Sequence, residues 1–269
     1  VLIMELKRLH VEVRLSTKVL GIEKRRDFLV KTSEGNLRGD AVILATGGKA
    51  SPALGSDGSG YAFAKSFGHS ISPVVPALVQ LHGKGTFFKN VAGVRVNAEV
   101  SIYVDGRRLA SDTGELQLTN YGISGIPVFQ VSRYAALALQ EKAVPTAVLD
   151  FMPEYSVEGL CSFFGNRKES NPVKTAEEFL VGMFNKKLIP ILLRASGIRG
   201  NIPVKDLEEP QLKRLASKCK TFEVEITAVN PFEQAQVCAG GVRTSEIHDT
   251  TMESRIVENL YITGELLDI

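Results

Sequence analysis

Ala41-Val42-Ile43-Leu44-Ala45-Thr46-Gly47-Gly48 is the stretch on which the reading of this chain turns. Five apolar residues in a row suit a strand buried on both faces, the pattern of a parallel sheet rather than the alternation of a half-solvated one. The run then stops at once in Thr-Gly-Gly. In open α/β folds the chain leaves a strand at the carboxyl edge of the sheet, and ligands bind at that edge. Small residues there let the backbone come close to a planar or anionic group. Taken alone, a plain strand-to-turn junction explains the same residues, so the neighbouring segments have to decide.

Downstream lies a glycine-rich loop, Gly55-Ser56-Asp57-Gly58-Ser59-Gly60, followed by helical spacing over residues 61–67 and a stop at Gly68. Free N–H groups at such a helix start favour an anion or an electron-rich ring edge. The spacing is GxxGxG, which matches neither the dinucleotide fingerprint nor the P-loop. A flexible surface loop is the plainer reading of that segment by itself. At the far end, Leu260-Tyr261-Ile262-Thr263 is a second apolar strand, ending in Gly264-Glu265-Leu266-Leu267-Asp268. An acid just past a buried strand can accept hydrogen bonds from sugar-like hydroxyls, although a solvated turn acid has the same sequence. Upstream, residues 2–9 have helical spacing, and residues 11–15 alternate as a strand does. Short β runs follow at 18–23, 28–32 and 36–38.

The middle of the chain differs in character. Alternating runs at 78–82, 93–104 and 146–151, with the hairpin signal Asp105-Gly106, read as a mostly β region. One helix interrupts it, with Pro127 in its first turn and Val128, Val131, Ala135 and Leu139 on one face. From about residue 175 to 220 the pattern is helical. It opens with the capping-box sequence Thr175-Ala176-Glu177-Glu178 and includes a later helix with Leu212, Leu215, Ala216 and Cys219 on one side. A β run returns at 222–229.

Several of these segments in this order resemble the BaiN/YhiN-like, or aminoacetone-oxidase-like, family of FAD-dependent oxidoreductases. The similar stretches are Ala45-Thr46-Gly47-Gly48 with residues 55–61, Pro76-Ala77-Leu78-Val79 and Tyr121-Gly122-Ile123-Ser124-Gly125. They continue with Ala239-Gly240-Gly241-Val242, Thr251-Met252-Glu253-Ser254 and residues 260–268. The resemblance runs over nearly the whole chain and is weakest around 155–220. It implies an α/β protein with inserted domains. An FAD-binding domain of the two-dinucleotide-binding type would be split into pieces 1–75 and 239–269. Between them would lie a β-barrel-like insert (76–170), a small helical subdomain (171–221) and a return strand (222–238). It also implies site residues. Val19 would pass near the adenine, and Ala45, Thr46 and Gly47 would lie close to the FAD. Gly264, Glu265 and Asp268 would face the ribityl and pyrophosphate region, and Gly240 and Gly241 the flavin or substrate side. The family pattern begins with a strand and GxGxxG turn and continues past the acidic end motif into a flavin-capping helix. This chain shows neither, so an incomplete domain, a fragment inactive by itself, is expected. NAD(P)H is the expected electron donor of the parent protein, and the substrate is an unidentified small molecule.

Composition narrows the alternatives. Of 269 residues, 44% are hydrophobic and 23% charged, which argues against disorder. The formal charge is +2 without a basic run, so no nucleic-acid partner is expected. No apolar run reaches the roughly 18 residues of a membrane span, and a cytoplasmic location is expected. The three cysteines and four histidines are scattered, which speaks against a disulfide framework and a metal site. Cys238 could be a redox thiol and His69 or His248 a proton donor, but a buried thiol and structural histidines are the plainer readings. Arg133 and Tyr134 read as a surface helix face. No catalytic residue is named. The competing expectation is that the β and helical insert acts as a non-catalytic binding module.

Overall fold

A computed structural model describes residues 1–269. It divides into two compact units: Val1–Gly48 with Gly58–Ser72 and Gly240–Ile269, and Lys49–Asp57 with Pro73–Ala239. We call them the split unit and the barrel unit.

In the split unit the short β runs form an antiparallel sheet of three strands, Val19–Lys24, Phe28–Thr32 and Gly35–Gly39. The apolar run forms Val42–Leu44, which pairs in parallel with Leu260–Ile262. Phe28, Leu44, Ala64, Val242, Leu260, Ile262 and Leu266 share one core. The helix Ser59–Ser66 adds Ala64 to it. Two expectations are corrected. The run 41–45 is not buried on both faces: Leu44 is 3% exposed but Ile43 is 67% exposed, because the core packs against the Leu44 face and not against the opposite one. The alternating residues 11–15 form no strand. Alternation marks faces but does not supply ladder partners, and the Val11 N–H instead bonds Leu6 O at the end of the helix Leu2–Arg8.

The barrel unit is built on six antiparallel strands. In spatial order they are Thr146–Asp150, Phe222–Val229, Leu81–Gly83, Gly122–Gly125, Arg107–Leu118 and Arg95–Val104, the last closing back on the first. Closure removes free sheet edges. It also demands tight approach at Gly122, where any Cβ would strike the backbone of Leu81 and Gly83. The helix Ile126–Gln140 starts with Pro127 in its first turn and buries Val128, Val131 and Ala135 in the barrel core.

The helical stretch is not a separate body. Leu160, Phe164, Phe179, Leu192 and Leu215 belong to the same hydrophobic cluster as the barrel residues Val100, Ile102 and Leu149. A helix that the apolar spacing did not announce, Val157–Ser170, begins at Ser156, whose Oγ accepts from Gly159 N at 3.0 Å. The expected capping box at Thr175 is present, with Glu178 N donating to Thr175 Oγ1 and Glu178 Oε2 accepting from Thr175 N. Lys220, at the end of the helix Glu209–Lys220, pairs with Asp150 at 2.6 Å and so ties that helix to a barrel strand.

Candidate functional site

The parallel strand pair places two of the motifs side by side. Both strands run in the same direction in register, Leu44 opposite Ile262, so both carboxyl ends lie at one edge. Thr263 N donates to Leu44 O at 3.1 Å just past that edge. Ala45-Thr46-Gly47 and Gly264-Glu265 therefore leave the sheet together. Ala45, Thr46, Gly264 and Glu265 are exposed, and Gly47 is half-buried. Gly47 (φ 70°) and Gly264 (φ 73°) hold left-handed conformations, which suit glycine. A Cβ at Gly264 would meet nothing within 4 Å, so the backbone there lies open to an approaching group.

The helix Ser59–Ser66 packs against the same edge. A Cβ at Gly60 would overlap the Thr46 hydroxyl. Gly241 joins from the other side: its Cβ would crowd Leu266 O at 2.6 Å, and the neighbouring Val242 N donates to that carbonyl at 2.9 Å. Asp268 N in turn donates to Val242 O at 2.9 Å. The structure thus gathers Ala45, Thr46, Gly47, Gly241, Gly264, Glu265 and Asp268, with Gly240 adjoining Gly241 in sequence. Val19 sits apart from them, half-buried on the three-stranded sheet.

The sequence profile of the HI0933-like protein Rossmann domain matches residues 1–269. The chain belongs to this family. Among curated relatives of this HI0933-like chain, a 3-dehydro-bile acid delta(4,6)-reductase of Clostridium scindens is 47% identical over 267 residues. That match covers 99% of this chain and 65% of the relative. The ribosomal RNA dihydrouridine synthase of Haemophilus influenzae is 27% identical, covering 97% of this chain and 62% of that protein. The one of Escherichia coli is 26% identical, covering 100% and 64%. The chain therefore spans a little under two thirds of the length of these relatives.

The remaining residues of interest have defined settings in this HI0933-like fold. His69 is buried between Glu246 Oε2, 3.0 Å from Nδ1, and Ser254 Oγ, 2.9 Å from Nε2. Ser254 Oγ also accepts from Ile256 N and Val257 N, so the hydroxyl is fully engaged in holding a loop. Glu246 accepts from Ser70 N as well. Burial opposes its charge, but the bonds from Ser70 and His69 prevail and hold its carboxyl below the usual range. His248 is exposed. In the barrel unit, Lys49 N donates to Cys238 Sγ at 3.2 Å, and the Lys49 ammonium lies 4.7 Å from the Phe232 ring centroid. Arg133 bonds the neighbouring Tyr134 hydroxyl at 3.0 Å on the exposed side of its helix. No group of three or more His, Cys, Asp or Glu side chains could hold a metal, and no helix is long and apolar enough to cross a membrane.

One constellation escaped the sequence reading. Gln80, His82, Tyr121, Asn230 and Gln234 form a hydrogen-bonded cluster at one end of the barrel. The signal was there in part. Residues two apart in an extended run share a face, which groups Gln80 with His82. Nothing local brings Asn230, some 150 residues on, to meet them.

Proposed function

We propose that the full protein binds FAD at the edge formed by Ala45-Thr46-Gly47 and Gly264-Glu265. It would use NAD(P)H-derived electrons to reduce a carbon–carbon double bond conjugated to a carbonyl in a small molecule. What carries the binding half is the convergence of two glycine-bearing turns at the carboxyl ends of paired parallel strands, where α/β folds take nucleotide ligands. The residues fit such a cofactor. Open backbone at Gly264 admits close approach of a flat or anionic group, and the exposed Glu265 carboxylate can accept from ribityl or ribose hydroxyls. Asp268, Gly240 and Gly241 would complete the same side, and Val19 would serve the adenine end. Bound flavin supplies the hydride. The protein holds the ring, excludes water and orients the acceptor.

The chemical half rests on the relatives. The 47% identical one is named for removal of double bonds in a 3-dehydro-bile acid, and the two at 26–27% for formation of dihydrouridine in RNA. Both names describe saturation of a C=C bond conjugated to a carbonyl. A small-molecule acceptor is the reading we favour, since the charge is only +2 and no basic run offers a phosphate track. Uridine in ribosomal RNA is the second reading, carried by the two synthase relatives.

The test is an absorption spectrum of the full-length protein followed by anaerobic turnover. Bands near ~450 nm mark bound flavin. NADPH is then supplied with either a 4,6-dien-3-one steroid or an unmodified ribosomal RNA fragment. Flavin bands and loss of the dienone absorbance are expected. A colourless protein that stays so with added FAD overturns the cofactor assignment, and dihydrouridine without dienone reduction moves the substrate to RNA.

A further inference from the structure

The barrel unit holds a cleft of about 420 Å³ at the end of the helix Ile189–Ala195, lined also by the loop that follows and by the start of the helix Ala176–Leu180. Leu193 and Ile198, 1% and 5% exposed, supply apolar lining. The charged lining is Arg194, Arg199 and Glu177, all exposed. Although they share one cleft, none of these side chains makes a hydrogen bond or an ion pair within the chain. A third guanidinium stands at the same turn, with Arg214 Nε 3.5 Å from Ser196 O. The loop backbone is anchored on both sides. Ile198 N donates to Leu193 O at 2.9 Å, Glu177 N to Gly200 O at 3.0 Å and Ala176 N to Ile202 O at 2.9 Å. Gly200 leaves room for the Glu177 carboxylate beside the loop, where a Cβ would overlap it. Between the anchors, the N–H groups of Arg199, Gly200 and Asn201 have no acceptor in the chain. Water satisfies such donors in the free protein. Successive unbonded N–H groups beside unpaired guanidiniums are also the parts of an anion cradle.

We propose that this cleft binds a small phosphate monoester that carries hydroxyl groups, a molecule of the size and kind of a sugar phosphate. The phosphoryl group brings three strong acceptor oxygens to one point. A planar guanidinium meets two of them at once, and the loop N–H groups supply further donors. Glu177 accepts from a hydroxyl of the same ligand, and Leu193 and Ile198 offer apolar surface to its carbon skeleton. The volume suits a single small molecule. The Glu177 carboxylate repels a second phosphate, so one terminal phosphoryl group fits better than a chain of phosphodiesters. The site lies wholly within the barrel unit and does not depend on the cofactor or the acceptor proposed above.

The test is calorimetric titration of the full-length protein with ribose 5-phosphate, ribose, inorganic phosphate and a short RNA oligonucleotide. Ribose 5-phosphate is expected to bind one to one and more tightly than inorganic phosphate, and ribose not to bind at the same concentrations. Arg194→Gln and Arg199→Gln are each expected to weaken ribose 5-phosphate at least ~10-fold. Their melting temperatures should stay at the wild-type value, because neither side chain has a partner to lose. Glu177→Gln removes a charged acceptor and a like charge together. It should bind inorganic phosphate more tightly while its preference for the sugar phosphate falls, a pair of effects that a loosened fold does not produce. Ribose 5-phosphate that fails to bind, or that binds both arginine variants as well as wild type, overturns the site. An oligonucleotide that alone binds, and loses affinity in the arginine variants, overturns the monoester in favour of RNA.

Discussion

At the scale of single residues, burial and hydrogen bonding set two measurable properties. The Cys219 thiol is buried at the helix–barrel junction, and burial pushes its pKa up to about 12; burial also raises Cys161. The thiolate is the reactive species, so Cys219 is expected to stay unlabelled by a disulfide reagent at neutral pH until the protein is denatured. Rapid native labelling of Cys219, seen by peptide mapping, would contradict its placement. Glu246 behaves oppositely. Its folded pKa lies below its unfolded value, so its stabilising effect is present above about pH 4.5 and is lost as pH falls through the folded pKa. Glu246→Gln should cost about 1–3 kcal/mol at neutral pH and flatten the acid limb of a melting-temperature profile. An unaltered acid limb would show that the carboxylate is not the group concerned. Neither setting was legible beforehand. The partners of Glu246 are His69 and Ser70, some 176 residues away, and apolar spacing cannot tell a clasp from a solvated acid.

At the scale of elements, local chemistry was legible wherever it is self-contained. The Thr175 box, Pro127 in the first turn of its helix and the turn at Asp105-Gly106 all form from residues within a few positions of one another. Thr175→Ala should therefore cost about 1 kcal/mol in chemical denaturation, and a neutral result would mean that tertiary contacts alone hold that helix. Elements that depend on a distant partner were read less well. Residues 11–15 alternate but have no neighbouring strand, and the run at 42–44 found only one. The helix Val157–Ser170 carries Gly159, Gly165 and several polar residues, which diluted its periodicity, yet Ser156 at its start was a readable cap. Gly122 belongs to this scale too. Gly122→Ala would force the Leu81–Gly83 strand outward and should destabilise by about 1–3 kcal/mol or more; a variant as stable as wild type would mean that the barrel is looser there than the structure shows.

At the scale of the whole chain, the two glycine-bearing turns that follow Leu44 and Ile262 were legible because each follows an apolar strand with its own sequence signature. The hydrogen-bonded cluster around Asn230 was not, because its partners come from separate strands and turns far apart in the sequence. The shared core of barrel and helices has a thermodynamic consequence. Phe164 is fully buried in the helical part but packs in the same cluster as the barrel. Phe164→Ala should cost about 3–5 kcal/mol and lower hydrogen-exchange protection in strand Thr146–Asp150 as well as in the helices. Protection lost in the helices alone would show two independent cores.

The pairing of Val42–Leu44 with Leu260–Ile262 also sets an order of events during synthesis. A ribosome adding about 5–20 residues per second needs roughly 10–40 s to make the intervening stretch of about 200 residues. Throughout that interval every strand of the barrel can emerge and close, while Leu44 waits for the partners that bury it. The nascent chain thus spends its longest exposure with this strand pair half made, and a chaperone that shields apolar strands would be expected to bind there first.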